Sequence, residues 1–101
     1  MLVDDEPEAL RAFERTLRGA GYLVEAFTSA RAAIERVSAG GVHVVVSDIS
    51  MPEMDGRGLI HRIRELDTSE GGAIPAVALT AYFSPTDRTR TLLAGYQLYL
   101  A

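Results

Sequence analysis

The residues with the clearest chemical potential are acids that directly follow apolar segments. Asp4 and Asp5 come after the apolar pair 2–3, and Asp48 closes an apolar run over 42–46. In a doubly wound parallel sheet, the first and third strands are neighbours at the point where the strand order reverses. The three carboxylates would then converge at one edge of the sheet. Like charges this close raise one another's pKa values or attract a cation.

An oxygen-only site with few carboxylates suits Mg²⁺, which keeps several waters and is often completed by a phosphate. Thr80 follows the apolar segment 74–79 and brings a hydroxyl to the same edge, where it can donate to a phosphate oxygen. A carboxylate can also act as a nucleophile toward phosphorus and form an aspartyl-phosphate. Singly, Asp4-Asp5 and Thr80 are better explained as a helix cap and a strand-end hydroxyl, and Asp48 is explained equally well as a turn residue. Their joint arrangement is what predicts a small Mg²⁺ site with a nucleophile.

Composition excludes several other kinds of site. The chain has 101 residues, 48% of them apolar and 24% charged, which suits one globular domain. A net charge of −4 argues against a non-specific nucleic-acid binder. There is no cysteine and no lysine, and all 10 basic residues are arginine, so thiolate metal sites and disulfides are absent. The acidic start and the lack of a long apolar run favour a cytoplasmic domain that binds no membrane.

Helical and strand-like periodicities alternate along the chain and must position these acids. Strands are predicted at 2–3, 22–27, 42–46, 74–79 and 96–100, and the four segments between them have helical patterns. The segment 67–72 is predicted to be polar and flexible. The resulting order βαβαβαβαβ predicts an α/β fold with a doubly wound, five-stranded parallel sheet. No helix follows the fifth strand, so we expect one covering helix to be missing.

The histidines and most aromatics are not expected to do chemistry. His61 lies among arginines and is predicted to be an exposed polar residue, whereas His43 interrupts the third strand and is predicted to be a satisfied structural residue. Two isolated histidines without cysteine do not make a zinc site. Tyr22, Tyr96 and Phe83 are predicted to be core or rim aromatics.

Several landmarks together resemble the receiver domain of two-component response regulators. They are the acidic run 4–6, the segment 48–56 (Asp-Ile-Ser-Met-Pro-Glu-Met-Asp-Gly), Thr80-Ala81 and Tyr99, in the order and spacing of that family. The resemblance covers essentially the whole chain. It implies a CheY-like, flavodoxin-like fold with strand order 2-1-3-4-5.

Carried over by position, the resemblance makes Asp48 the phosphoacceptor. Asp5 and Asp48 would ligate Mg²⁺ directly with the backbone carbonyl of Ser50, and Asp4 would hold the ion through water. Contact with the phosphoryl group and switching are implied for Ile49, Thr80, Ala81 and Tyr99, and tuning of dephosphorylation for Ser50 and Tyr82. Thr80 would move toward the phosphoryl group, and Tyr99 would rotate into the vacated space. Met51-Pro52 and Gly56 would shape the loop after the acceptor.

The implied donor is a phosphohistidine on a sensor histidine kinase or a histidine phosphotransfer protein, and the output is an unidentified downstream domain or protein. The domain would be regulatory and would catalyse only its own phosphorylation and dephosphorylation. The family's lysine would fall one position after Ala101. We therefore expect residues 1–101 to be a single receiver domain within a longer chain.

Two alternatives stay open at this point. One is a pseudo-receiver that serves as a docking or dimerisation module without phosphorylation. The other is a Mg²⁺-dependent phosphohydrolase, although such enzymes usually have a second aspartate two residues after the nucleophile. Ser50 occupies that place here, and the lysine that such enzymes use is absent.

Overall fold

Strands and helices alternate through the residues that the computed structural model describes, which are 1–49, 55–79 and 85–100, with the backbone alone described at 85, 87 and 99. The elements are β1 (Leu2–Val3), α1 (Pro7–Gly19), β2 (Ala26–Phe27), α2 (Ala30–Ser38), β3 (Val45–Asp48), α3 (Gly56–Glu65), a 3₁₀ helix (Thr68–Glu70), β4 (Ala76–Leu79), α4 (Pro85–Ala94) and β5 (Leu98–Leu100). No helix in these three ranges has both the length and the apolar character needed to span a membrane.

All strand pairs are parallel, and the sheet order is β2-β1-β3-β4-β5. The predicted α/β fold with strand order 2-1-3-4-5 is therefore confirmed. Because the order reverses between β1 and β3, a crevice forms at the carboxyl ends of these two strands. Ligands bind at this position in doubly wound folds.

The helices begin where local hydrogen-bond acceptors are available. Pro7 starts α1, where its missing N–H costs nothing. Ser29 caps α2 by accepting from the Ala32 N–H, and Asp55 caps α3 by accepting from the Gly58 N–H at 2.8 Å.

The two faces of the sheet are covered unequally. One face carries Val45 and Ser47 and is buried under α2 and α3, in a core that also holds the fully buried Leu59, Ile60 and Ile63. Strand register places Leu2, Val46, Val77 and Leu98 in one row on the other face, which α1 covers at β1 and β2. Leu98 is 54% exposed and Leu100 48% exposed. The apolar side chains of β5 are therefore partly exposed on this face.

Every predicted strand after the first is shorter than expected, and the third is also shifted toward the carboxyl end of the chain. Of the predicted strand 22–27 only β2 forms, because its partner β1 is itself two residues long. Tyr22, predicted to be a core or rim aromatic, is 65% exposed in the turn before it. The third strand begins at Val45, so His43 does not interrupt it as predicted: the histidine precedes the strand and is exposed, and is not a satisfied structural residue within it.

Arg64 ties together the segments that enter β4 and β5. Its guanidinium donates to the carbonyls of Gly72 (3.0 Å), Ile74 (2.6 Å) and Gly95 (2.8 and 3.1 Å). It also donates to Oε1 of Gln97 at 3.1 Å, the same atom that accepts from the Ala76 N–H. The stretch before β4, predicted to be flexible, is thus held by a 3₁₀ helix and by these hydrogen bonds of the Arg64 guanidinium, which together we call the Arg64 clasp.

Candidate functional site

Three aspartates meet at the carboxyl ends of β1 and β3. Asp4 and Asp5 follow β1, and Asp48 is the last residue of β3. Each has a carboxylate oxygen within 4.8 Å of the corresponding oxygens of the other two. The structure therefore brings together the three acids singled out in the sequence, at the point where the strand order reverses.

Asp4 is half-buried beside a mainly apolar cavity. Its Oδ1 accepts from the Glu6 N–H at 2.9 Å, and its own N–H donates to the Phe27 carbonyl at 3.1 Å. A cavity of about 110 Å³ adjoins it and is lined on the α1 side by Leu10 and Phe13. Burial raises the pKa of Asp4, and the nearby charges of Asp5 and Glu6 add to this, while the Glu6 N–H opposes it. A cation at this place would relieve the repulsion.

Asp48 is held by the backbone around it. Its Oδ1 accepts from the Ile49 N–H at 2.9 Å, and its carbonyl accepts from the Ser47 hydroxyl at 2.8 Å. Ser47 is fully buried, and Asp48 itself is half-buried. The carboxylate is thus oriented at the rim of the sheet.

Gly56 packs directly against this backbone at the start of α3. A Cβ at this position would lie 2.5 Å from the Asp48 carbonyl oxygen and 2.8 Å from Ile49 Cα. The Gly56 N–H donates to the Ile49 carbonyl at 2.7 Å. Only glycine permits this approach, which gives a physical reason for a glycine eight positions after Asp48.

Tyr96 contributes to the site in a way that sequence reasoning missed. It is buried, as predicted for a core or rim aromatic, but its hydroxyl donates to the Gly56 carbonyl at 2.6 Å. Burial raises its pKa to about 12. The partner is 40 positions away, so no local pattern could have indicated this contact.

The other residues predicted for the site are only partly covered by the structure. Ser50, the loop segment Met51-Pro52, Thr80, Ala81 and Tyr82 lie outside the described residues, as does Phe83. Tyr99 is the central residue of β5, where its backbone pairs with Ala78, and its side chain is outside the description. His61 is exposed, as predicted.

Comparison with known proteins shows the family. The family model of the response regulator receiver domain matches residues 1–101. An uncharacterized 14.6 kDa protein from the sodA1 3' region of Leptolyngbya boryana is 38% identical over 100 residues, which cover 99% of this chain and 75% of that protein.

Two solved structures are similar over nearly the whole chain. The receiver domain of the sensor histidine kinase PA1611 of Pseudomonas aeruginosa has a TM-score of 0.87 and 31% identity, with 99% of this chain and 80% of that chain covered. That structure has a magnesium ion coordinated in its active site cleft. The Vibrio cholerae chemotaxis protein CheY4 has a TM-score of 0.89 and 28% identity, with 99% and 82% covered.

Other curated relatives are longer regulators, including transcriptional regulatory proteins, and this chain spans only 13–41% of their lengths. The family is regulatory rather than a classical enzyme family. Fold, acid cluster and family match agree, and the chain belongs to the response regulator receiver domain family.

Proposed function

We propose that this domain is a phosphoacceptor switch that receives a phosphoryl group on Asp48 from a phosphohistidine. The donor would be a sensor histidine kinase or a histidine phosphotransfer protein. The observation that carries the proposal is the convergence of Asp4, Asp5 and Asp48 within 4.8 Å at the β1/β3 crevice. Family membership over residues 1–101 supports it.

The donor set fits Mg²⁺. Three carboxylates at one rim supply hard oxygen ligands and negative charge, and the chain has no cysteine that could supply a thiolate. Asp5 and Asp48 would bind the ion directly and Asp4 through a water, with the Ser50 carbonyl as a further ligand outside the described residues. When bound, the ion neutralises negative charge and so lowers the repulsion between the acids and an incoming phosphoryl group. The magnesium-bound receiver domain of PA1611 supports this assignment.

The chemistry itself is a displacement at phosphorus. An Asp48 carboxylate oxygen forms a bond to phosphorus while the P–N bond of the phosphohistidine breaks, and its electron pair leaves with the imidazole. The Ile49 N–H fixes the carboxylate for this attack, because it donates to Oδ1 of Asp48. The protein contributes position and charge, which are the main contributions in phosphoryl transfer.

The switch would follow from the added charge. Phosphorylation adds a dianion with strong acceptor oxygens. In this proposal Thr80, Ala81 and the Ile49 backbone contact the phosphoryl group, and Tyr99 moves into the space that Thr80 leaves. Ser50 and Tyr82 would tune the lifetime of the phosphorylated state. Output would pass to a partner outside residues 1–101, which we propose to be one receiver domain of a longer protein.

The test is labelling by acetyl phosphate with Mg²⁺, detected as an acid-stable, hydroxylamine-labile adduct by intact mass. The parent should be labelled and Asp48→Asn should not. Asp67→Asn, which neutralises an exposed acid beyond the end of α3, should be labelled like the parent. Equal labelling of Asp48→Asn would refute the acceptor assignment. A parent that is never labelled would favour a pseudo-receiver, and sustained turnover of a chromogenic phosphate ester would favour a phosphohydrolase.

A further inference from the structure

Three hydrogen bonds connect the hydroxyl of Tyr96 to the carboxylate of Asp48. Tyr96 Oη donates to the Gly56 carbonyl at 2.6 Å, and the Gly56 N–H donates to the Ile49 carbonyl at 2.7 Å. The Ile49 N–H then donates to Oδ1 of Asp48 at 2.9 Å. The path joins β5, the start of α3 and the end of β3.

We propose that Tyr96 is a positioning residue for Asp48: its hydroxyl holds Gly56, and through Gly56 the Ile49 backbone, in the place where the Ile49 N–H orients the Asp48 carboxylate. This inference rests on the proposed function only in so far as Asp48 is the acceptor. Tyr96 is separate from Tyr99, to which the switching motion is assigned.

The middle of the path is rigid because Gly56 has no free space. Its Cα is so close to the Asp48 carbonyl that a Cβ would lie 2.5 Å from that oxygen. A shift of Gly56 away from Tyr96 would therefore be felt directly by the backbone of Asp48 and Ile49. Interiors packed this closely transmit displacements of tenths of an ångström.

The Tyr96 end of the path is fixed as well. The ring is 4% exposed, and the preceding residue, Gly95, accepts two hydrogen bonds from the Arg64 guanidinium. The phenol, with its pKa raised to about 12, stays a protonated donor through the ordinary pH range.

Tyr96→Phe tests the hydroxyl while keeping the ring. In the metal-free protein, loss of the tether should make amide hydrogen exchange at Ile49 and Gly56 several-fold faster. Mg²⁺, titrated alone and followed by NMR, should bind the variant about three- to tenfold more weakly than the parent. This loss of affinity is no larger than that caused by removing a group that directly orients a metal ligand. Labelling by acetyl phosphate should slow by a similar factor.

Two control variants separate positioning from general stability. Tyr22→Phe removes the hydroxyl of an exposed tyrosine and should match the parent in all measurements. Ile63→Val loosens the fully buried core of α3 away from the acids and covers the case in which Tyr96→Phe is simply less stable. It should not weaken Mg²⁺ binding or selectively accelerate exchange at Ile49.

The outcomes decide the inference independently of the proposed function. Unchanged exchange at Ile49 in Tyr96→Phe, or the same changes in Ile63→Val, would overturn it. Faster exchange without weaker Mg²⁺ binding would also overturn it, since the hydroxyl would then be purely structural. If the parent binds Mg²⁺ but is never labelled, the proposed function fails, while exchange and Mg²⁺ affinity still decide the role of Tyr96.

Discussion

Replacing Asp48 by asparagine is expected to stabilise the metal-free domain. Two unit charges 4.8 Å apart repel by about 0.9 kcal/mol in water and by about 3.5 kcal/mol at the effective dielectric constant near a protein surface. Asp48→Asn removes two such pairs, with Asp4 and with Asp5. Because the acids are at the rim, the lower end applies, and we expect the free energy of unfolding to rise by about 2 kcal/mol. Asparagine keeps an Oδ1 acceptor for the Ile49 N–H, so that contact is not lost.

The assay is urea unfolding at neutral pH and low ionic strength, first with a chelator and then with Mg²⁺. Mg²⁺ should stabilise the parent more than Asp48→Asn, because the variant has lost a ligand and part of the repulsion that the ion relieves. High salt without Mg²⁺ should reduce the difference in the free energy of unfolding between the two proteins, because salt screens the repulsion between the carboxylates. Asp67→Asn, an exposed acid remote from the cluster, should change stability little under every condition.

An Asp48→Asn protein that is less stable than the parent in chelator would refute the reasoning. An increase in its free energy of unfolding no larger than that of Asp67→Asn would also refute the reasoning. In either case the repulsion would not govern this rim, and the argument for a bound cation would lose its electrostatic basis.

Three further predictions concern Arg64, Thr91 and Asp4. Arg64→Met should lower the free energy of unfolding by about 3 kcal/mol, because several charge-assisted hydrogen bonds are lost. Arg62→Met replaces an exposed neighbour and should lower it by much less. Equal losses for the two variants in urea unfolding would contradict the stabilising role of the Arg64 hydrogen bonds. Thr91→Val should raise the melting temperature and increase the free energy of unfolding by about 1 kcal/mol, because the fully buried Thr91 hydroxyl has no hydrogen-bond partner among the described residues. A lower melting temperature would mean that this hydroxyl is hydrogen-bonded. The pKa of Asp4 is raised above its usual 3.8, so the folded state binds more protons and this contribution to stability falls as pH rises from 3.8 through the folded pKa. The free energy of unfolding of Asp4→Asn, measured as a function of pH, should therefore rise relative to that of the parent across this pH range. A difference between the two proteins that does not change with pH would refute the argument that burial raises the pKa of Asp4.

Sequence reasoning located the acids because their positions follow from local pattern plus one topological rule. Asp4, Asp5 and Asp48 each come at the end of a short apolar run, and parallel strands bring such ends to one edge. The element order could be predicted in the same way, because it depends on periodicity, which is a local property. The strand order 2-1-3-4-5 was instead implied by the family resemblance.

Strand lengths and the supporting contacts could not be predicted, because they depend on partners distant in sequence. The strand predicted at 22–27 is cut to β2 by the two-residue length of β1, which no pattern within 22–27 records. The hydroxyl of Tyr96 and the guanidinium of Arg64 have carbonyl partners, and every residue has a carbonyl. Residue type therefore gives no indication of which one will be bound.

The position of the Arg64 clasp bears on how this domain can change over evolution. The clasp fastens the amino ends of β4 and β5, whereas the acids lie at the carboxyl ends of β1 and β3. The contacts that secure the fold and the proposed phosphoacceptor site thus lie at opposite rims of one sheet. Substitutions of residues at the acid rim leave the hydrogen bonds of Arg64 in place, so the proposed site can vary in sequence while the segments that enter β4 and β5 stay fastened.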